Sequence, residues 1–258
     1  GRSADAGYAA LLAWAEQVKA APAEAAPGLR RSGVASGLRF AGAFPADART
    51  PAVLANAADT LVQLGDTAQA AAVAEQLLAL QPPAPEEPRR VALTVLATSR
   101  FDAGDFAAAE RHSAAALALT AANAPGRTAL SDRLAASIYK QGEQARAAGQ
   151  AREAAALFER VGSAAPQSPV RVAAQFDAAA QLIALKDWPA ATRLLEDFRQ
   201  RFPKDPLQAQ VPARLALAYS EQSMWGPAAA EFDRVAQAEA DPERARVARW
   251  QAASLYDQ

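Results

Sequence analysis

The sequence predicts an all-α fold, a right-handed α-solenoid built from antiparallel helix pairs. A short turn phrase recurs five times, each copy starting 39, 45, 37 and 37 residues after the one before. A period in this range is typical of stacked helical hairpins. Hydrophobic residues make up 51% of the chain and aromatic residues 7%. The abundance of alanine favours closely packed helices over a sheet. The five phrases begin at Gly65-Asp66, Gly104-Asp105, Gly149-Gln150, Lys186-Asp187 and Ser223-Met224.

The first 50 residues are predicted to hold one amphipathic helix and a less regular segment. A helix over 5–20 is expected because apolar residues recur there at helical spacing. Pro22 and the Pro27-Gly28 step end it. Between 28 and 50 glycine recurs among apolar residues, which indicates either a short helix near 30–42 or an irregular connection. The residues expected to share the buried face of the first helix are Tyr8, Leu11, Leu12, Ala15 and Val18.

From Pro51 onward the pattern predicts helix pairs, because each turn phrase lies between two amphipathic stretches. Pro51 suits the first turn of a helix, where a missing N–H costs no hydrogen bond. The expected helices are 53–64, 67–80, 88–102, 106–120, 129–147, 151–163, 169–185, 188–201, 207–222, 226–238 and 242–257. They group into five repeats and the start of a sixth: 51–87, 88–127, 128–167, 168–205, 206–241 and 242–258.

This pattern resembles the tetratricopeptide repeat. That family has a small residue where the first helix of a pair (helix A) crosses the second (helix B), a glycine near the turn, and small or large apolar residues along helix B. The resemblance covers about 51–258 and implies a superhelix whose A helices line a concave, partner-binding groove. The third repeat supplies Gly142, Gly149, Ala154, Phe158, Val161 and Pro166; the fourth supplies Ala179, Trp188, Ala191, Leu195, Phe198 and Pro203.

A second, narrower resemblance concerns residues 194–207. Here a Phe202-Pro203 step is followed by an Asp205-Pro206 step at the junction of two repeats. The segment resembles Gram-negative cell-envelope repeat proteins, such as the outer-membrane assembly lipoprotein with tetratricopeptide repeats and the Tol–Pal coordinator. The resemblance implies a periplasmic or outer-membrane-tethered scaffold; a cytoplasmic location remains open.

Composition argues against several classes of function. The net charge is −1, so the chain lacks the basic excess expected of a nucleic-acid-binding protein. It contains no cysteine, hence no disulfide or thiolate metal site, and no apolar run long enough to span a membrane. The chain opens Gly1-Arg2-Ser3 without a methionine, and we expect it to be a piece of a longer protein.

No motif predicts catalysis, and we expect neither an enzyme nor a cofactor. Ser137 and Lys140 match the S-x-x-K pattern of penicillin-binding enzymes, but the accompanying S-D-N and K-T-G elements are missing. The single histidine, His112, is expected at a solvated or groove-edge position. Glu86-Glu87 is expected in a solvated, proline-rich connection. The four tryptophans, Trp14, Trp188, Trp225 and Trp250, are expected in the core.

We therefore expect a non-catalytic scaffold that docks a protein or peptide segment in the groove formed by its A helices. Two alternatives stay open: an adaptor region of a larger protein with an enzyme or motor domain, and a peptidoglycan-associated scaffold with a sugar stacked on Tyr139 or Phe176. Self-association through exposed terminal helices is a further expectation. The predicted partner-binding residues are Thr94, Thr98, Phe101, Tyr139, Glu143, Arg146, Phe176, Ile183 and Leu217; Val91, Ala180, Ala213 and Ser220 are expected on the same helix faces.

Overall fold

The computed structural model describes residues 3–258, and all the regular secondary structure in this part of the chain is helical. It contains thirteen α-helices and one 3-10 helix, Pro206–Gln210. The predicted all-α class is confirmed. The helices are α1 (Ala4–Ala20), α2 (Ala26–Ala43), α3 (Thr50–Gln63), α4 (Thr67–Leu78), α5 (Glu86–Asp102), α6 (Phe106–Ala118), α7 (Arg127–Ala147), α8 (Ala151–Ala164), α9 (Val170–Ala184), α10 (Trp188–Arg201), α11 (Val211–Glu221), α12 (Trp225–Ala238) and α13 (Pro242–Tyr256).

The chain divides into two compact units that meet at the Ser137–Ile138 bond, inside α7. In the first unit, neighbouring helices pack in chain order and α3 also packs against α5. Its core is formed by small and aliphatic side chains of α2 to α5, including Leu54, Leu77 and Leu96. In the second unit the core contains larger side chains, among them Phe158 and Phe198. The predicted division into residues 1–50 and six repeat segments stays a prediction.

All five turn phrases adopt the same backbone structure, a Schellman motif that leads directly into the next helix. In each, the N–H of the third residue beyond helix A donates to a carbonyl of the last turn of that helix over 2.9 Å, as from Asp66 to Leu61. The residue immediately before this donor has positive φ, from +56° at Ser223 to +80° at Gly104. The other such residues are Gly65, Gly149 and Lys186. Three helix B elements then begin with an aspartate N-cap, namely Asp66, Asp105 and Asp187.

In each pair a small residue of helix A is buried where the repeat pattern places the crossing with helix B. Ala58, Ala179 and Ala216 are completely inaccessible, and Ala97 is 1% exposed. In the third pair the residue at the crossing is Gly142, which is smaller still than alanine. The Phe158 ring lies directly against the backbone of α7 at this position. A Cβ atom at position 142 would lie only 2.5 Å from Phe158 Cε1, inside van der Waals contact.

Of the two alternatives for residues 28–50, the predicted helix near 30–42 is the one observed, and it is longer than predicted because α2 runs from Ala26 to Ala43. The predicted buried face of α1, by contrast, is wrong in part. Leu12 is 53% exposed, whereas Trp14 is half-buried and lies against α2 at Gly33.

The predicted helix 207–222 begins later than expected. Residues 206–210 form the 3-10 helix, which Asp205 caps by accepting from the Leu207 N–H over 2.9 Å, and α11 starts at Val211. The side chain of Gln208 holds this 3-10 helix against the end of α10. Its amide donates to the carbonyls of Phe198, Arg199 and Phe202 at the end of α10. The Phe202-Pro203 to Asp205-Pro206 junction thus closes one helix and orients the next.

Two other predicted environments differ in the structure. Glu86 and Glu87 are exposed, as expected, but they form the first turn of α5 instead of a connection. Acidic residues are favourable there because of the positive end of the helix dipole. Trp250 is 70% exposed and Val247 55% exposed on α13, so the expectation that all four tryptophans are core residues is wrong. Self-association through this face stays a prediction.

We predict that Gly142→Ala destabilises the second unit by about 1–3 kcal/mol, because the added methyl group must displace the buried Phe158 ring. Urea unfolding followed by circular dichroism measures the change. Gly42→Ala is the matched control, since a Cβ at this α2 position meets no atom within 4 Å. The control should be neutral or slightly stabilising. Equal stability of parent and Gly142→Ala would contradict the close approach of α7 and Phe158.

Candidate functional site

Four polar side chains of α7 lie on successive turns of its C-terminal half, within the second unit. They are Tyr139, Lys140, Glu143 and Arg146. Glu143 Oε2 accepts a hydrogen bond from Lys140 Nζ at 2.6 Å, and Glu143 Oε1 lies 3.7 Å from Arg146 Nη2. All three charged side chains keep between 31% and 46% of their surface exposed. They are therefore partly neutralised but still accessible to a partner.

Asp177 of α9 connects these side chains to the neighbouring helix A. Its Oδ2 accepts a hydrogen bond from the Tyr139 hydroxyl at 2.6 Å and lies 3.4 Å from Arg146 Nη1. Partial burial and the adjacent Asp177 carboxylate raise the pKa of Tyr139 well above its usual range. Tyr139 therefore stays a hydrogen-bond donor, and its ring packs 5.2 Å from the Phe158 ring centre.

Arg214 of α11 continues the row. Its guanidinium carbon lies 4.0 Å from the ring centre of Phe176, in cation–π geometry. Burial lowers the pKa of Arg214, and the Asp177 carboxylate offsets part of that effect. Leu217, one turn further along α11, is 43% exposed. Helices α7, α9 and α11 thus present a mixed polar and apolar surface, which we call the A-helix face of the second unit.

Lys140, Asp177 and Arg214 are equivalent positions in three successive repeats. Each precedes the positive-φ residue of its own turn, Gly149, Lys186 or Ser223, by the same number of residues. Sequence reasoning did not identify any of the three as a binding residue, since Lys140 was considered only for the S-x-x-K pattern. The turn phrases could have identified all three by this common register. The sign of the charge alternates along the row, so the face has no single electrostatic character.

The structure corrects the predicted position of Phe176. This side chain is only 5% exposed and packs in the second unit against Leu195 and Phe198, while its neighbour Asp177 is presented instead. A sugar cannot stack on Phe176, because Arg214 covers its ring. Ile183 is also partly buried against this core.

The other predicted partner-binding residues keep some exposure. Tyr139, Glu143, Arg146 and Leu217 belong to the A-helix face of the second unit. Their role in binding stays a prediction. Ala180, Ala213 and Ser220 also retain accessible surface; the Ser220 hydroxyl donates to the Ala216 carbonyl at 2.8 Å.

The predicted residues Thr94, Thr98 and Phe101, together with Val91, are half-buried on α5 of the first unit. The Thr94 hydroxyl donates to the Arg90 carbonyl at 2.9 Å. The Phe101 ring contacts Phe106 and lies 4.7 Å from the Arg133 guanidinium carbon. These contacts stabilise the first unit, and their role in binding likewise stays a prediction.

The residues considered for chemistry occupy structural positions. Ser137 is completely buried, and its hydroxyl donates to the Arg133 carbonyl at 2.7 Å, so it does not face Lys140 as a nucleophile would. His112 is half-buried on α6; burial and the nearby Arg111 and Arg100 lower its pKa. Within residues 3–258 no group of three or more histidine or carboxylate side chains is arranged to hold a metal ion. No helix in the same range is long and apolar enough to cross a membrane.

Comparison with known proteins agrees with the repeat pattern. The family model described as tetratricopeptide repeat matches residues 136–168, which include the second half of α7 and all of α8. The chain is therefore a helical-repeat protein in which residues 136–168 are similar to a tetratricopeptide repeat. Repeats of this kind generally mediate protein–protein interactions and are typically non-catalytic scaffolds. No curated protein sequence matches the chain.

Three solved structures are similar to the chain at low sequence identity. YrrB, described as a tetratricopeptide-repeat protein with an unusual peptide-binding site, is 16% identical, with 82% of this chain and 97% of that chain covered and a TM-score of 0.42. A tetratricopeptide-repeat protein from Parabacteroides merdae is 15% identical, with 97% and 91% covered and a TM-score of 0.42. The TPR2AB domain of yeast Sti1, solved as a complex with pHSP90, is 15% identical, with 98% and 97% covered and a TM-score of 0.41.

We predict that the stability of the second unit falls as the pH rises above about 10, the usual pKa of tyrosine. Tyr139 has a raised pKa in the folded state, so its contribution is complete below the unfolded pKa and is lost as the unfolded chain ionises first. Tyr139→Phe should flatten this decline, measured by urea unfolding from pH 8 to 12. A residual decline is expected, because burial and Glu196 raise the pKa of Tyr219 to about 12. Identical profiles for parent and variant would contradict the Tyr139–Asp177 hydrogen bond.

Proposed function

We propose that this protein is a non-catalytic scaffold that binds a protein or peptide segment on the A-helix face of the second unit. The observation that carries the proposal is the row of Lys140, Asp177 and Arg214 at one repeat position on three successive A helices. Such a row offers a partner one recognition group per repeat. The accessible charges favour hydrogen-bonded and ion-paired contacts, and Leu217 adds an apolar anchor.

The described contacts support a preformed binding face. Asp177 is held by Tyr139 and Arg146, Glu143 is held by Lys140, and Arg214 is stacked on Phe176. A partner that binds here therefore meets side chains whose rotamers are already restricted, which lowers the entropy lost on binding. The alternating charges favour a partner segment that itself carries both acidic and basic residues.

This proposal is tested by selecting peptides on the immobilised parent chain from a random displayed library. The selected peptides are then titrated against Lys140→Gln/Arg146→Gln by fluorescence anisotropy. Affinity should fall roughly tenfold or more, because each loss of about 1.4 kcal/mol changes the dissociation constant tenfold. The fold should persist, since exposed ion pairs contribute little to stability.

Arg152→Gln/Arg193→Gln is the matched control. It makes the same change in charge at exposed positions of α8 and α10, the B helices of the same unit. Retention of full affinity by this control, with loss in the first variant, supports the A-helix face. Equal affinity of the two variants would place the binding site elsewhere and contradict the proposal.

We further propose that the scaffold works in the envelope of a Gram-negative bacterium, in the periplasm or tethered to the outer membrane. The resemblance of residues 194–207 to envelope repeat proteins supports this, together with the precise helix junction that those residues form. Fractionation of cells that make the full-length natural protein is the test. Release of the protein with periplasmic contents, or recovery in outer membranes, is expected; recovery with the cytosolic fraction would contradict the location.

A further inference from the structure

The first unit contains an apolar cleft that its own side chains do not fill. Helix α1 has no buried residue, although Leu11, Trp14 and Val18 recur at helical spacing and lie half-exposed on one face. They face α2 and α3 across a cavity of about 460 Å³. A separate cavity of about 440 Å³ lies between α3 and α5, but its lining includes the charged residues Asp59, Glu87 and Arg90, so the cleft beside α1 is the more apolar of the two.

Two glycines of α2 help to leave this cleft open. Gly33 and Gly37 lie one helical turn apart and line the cavity, together with Val34. A Cβ at position 37 would lie 3.2 Å from Val53 Cγ1, so a side chain fits poorly there. A Cβ at position 33 would make an ordinary contact of 3.5 Å with Trp14 Cβ. A Cβ is therefore tolerated at position 33, and it would lie against Trp14 of α1.

The polar residues of the cleft are distributed unevenly. Lys19, from the last turn of α1, and Arg30, from the first turns of α2, are cationic and lie near the α1–α2 connection. None of the residues that line the cavity is acidic. Lys19 contacts Glu16 at 2.7 Å, but both side chains are more than 70% exposed, so this surface pair competes weakly with a ligand. The cleft is thus apolar along its length and positive at one end.

We propose that this cleft binds a free long-chain carboxylate, with the alkyl chain between α1 and α3 and the carboxylate beside Lys19 and Arg30. The cavity volume lies within the range of small-molecule sites, and its mostly apolar walls suit an alkyl chain. The cationic end complements a single negative charge. The inference does not rest on the proposed peptide-binding face, which belongs to the second unit.

An extended peptide fits the same cleft less well. Its N–H and C=O groups would face Leu11, Trp14 and Val34, and the main-chain groups of the surrounding helices are already bonded within those helices. Among the uncharged polar side chains along the cleft, Asn56, Thr60 and Gln63 belong to α3, and α1 adds the Tyr8 hydroxyl and the Trp14 indole N–H. These few side-chain groups do not match the regularly spaced main-chain groups of an extended peptide. An alkyl chain needs no hydrogen-bond partner and avoids this cost.

Titration calorimetry of the whole chain with dodecanoate, below its micelle concentration, is the test. We expect saturable binding of one molecule per chain. Decanoate should bind roughly tenfold more weakly, because two buried methylene groups are lost. Dodecyltrimethylammonium, which has the same tail and a positive head, should bind at least about tenfold more weakly than dodecanoate.

Three variants locate the site. Gly33→Leu should fill the cleft and abolish binding, with its melting curve confirming that the fold is retained. Lys19→Gln/Arg30→Gln should weaken dodecanoate binding roughly tenfold but leave dodecyltrimethylammonium unaffected or stronger. Arg31→Gln/Arg39→Gln is the matched control, because both residues are exposed on α2 outside this cavity, and it should bind as the parent does.

Several outcomes would overturn the proposal. They are the absence of saturable dodecanoate binding, unchanged binding by Gly33→Leu, and equal binding of the two head groups. Sedimentation provides a separate check: conversion of a dimer to a monomer by Gly33→Leu would show that a second copy of this chain occupies the cleft. Loss of affinity for the selected peptides in Gly33→Leu would identify a peptide as the occupant. If Lys140→Gln/Arg146→Gln kept full affinity for the selected peptides, the proposed peptide-binding face would be contradicted. The proposal for the α1 cleft would not be affected by that result.

Discussion

The close crossing of helix A and helix B within each pair is the constraint on which the rest of the structure depends. At the crossing, the residue on helix A is Ala58, Ala97, Gly142, Ala179 or Ala216, and each is buried. Small residues let the helix axes approach, so that the larger side chains of helix B can fill the space beside them. Phe158 shows the limit of this arrangement, because its ring lies where a Cβ of residue 142 would be. Burial of such a ring stabilises the fold by about 1.5–3 kcal/mol. A wider spacing of the two helices would expose the ring and reduce this stabilisation.

The turns maintain this crossing by fixing how helix B leaves helix A. The same Schellman hydrogen bonds occur five times, and each requires a left-handed residue. Three turns use glycine, which adopts this conformation without a steric penalty. Lys186 and Ser223 adopt it at a cost of about 1 kcal/mol each. Conservation of the geometry despite that cost shows that tertiary packing, and not local preference, decides the turn conformation at these two positions.

The same geometry relates structure to proposed function in both units. In the second unit, a constant register between turn and helix places Lys140, Asp177 and Arg214 on equivalent faces, where their charges are accessible. In the first unit, α1 lies apart from α3, and glycines on α2 leave the intervening cleft open. The regular register of the repeats explains the first site, and the apolar lining contributed by α1, α2 and α3 explains the second.

The sequence by itself determined the helix pairs, the turns and the small residues at the crossings. Each of these depends on local spacing or on the size of one side chain, which can be read directly from the chain. Tertiary structure decided which of two adjacent residues faces outward, because one position changes the direction of a side chain by about 100° around the helix axis. For that reason the sequence pattern predicts Phe176 on the surface, whereas packing buries it and exposes part of Asp177. Likewise, Leu12 is exposed and Trp14 turns toward α2. The cleft beside α1 depends on the spacing of three helices, which no single segment of the sequence encodes.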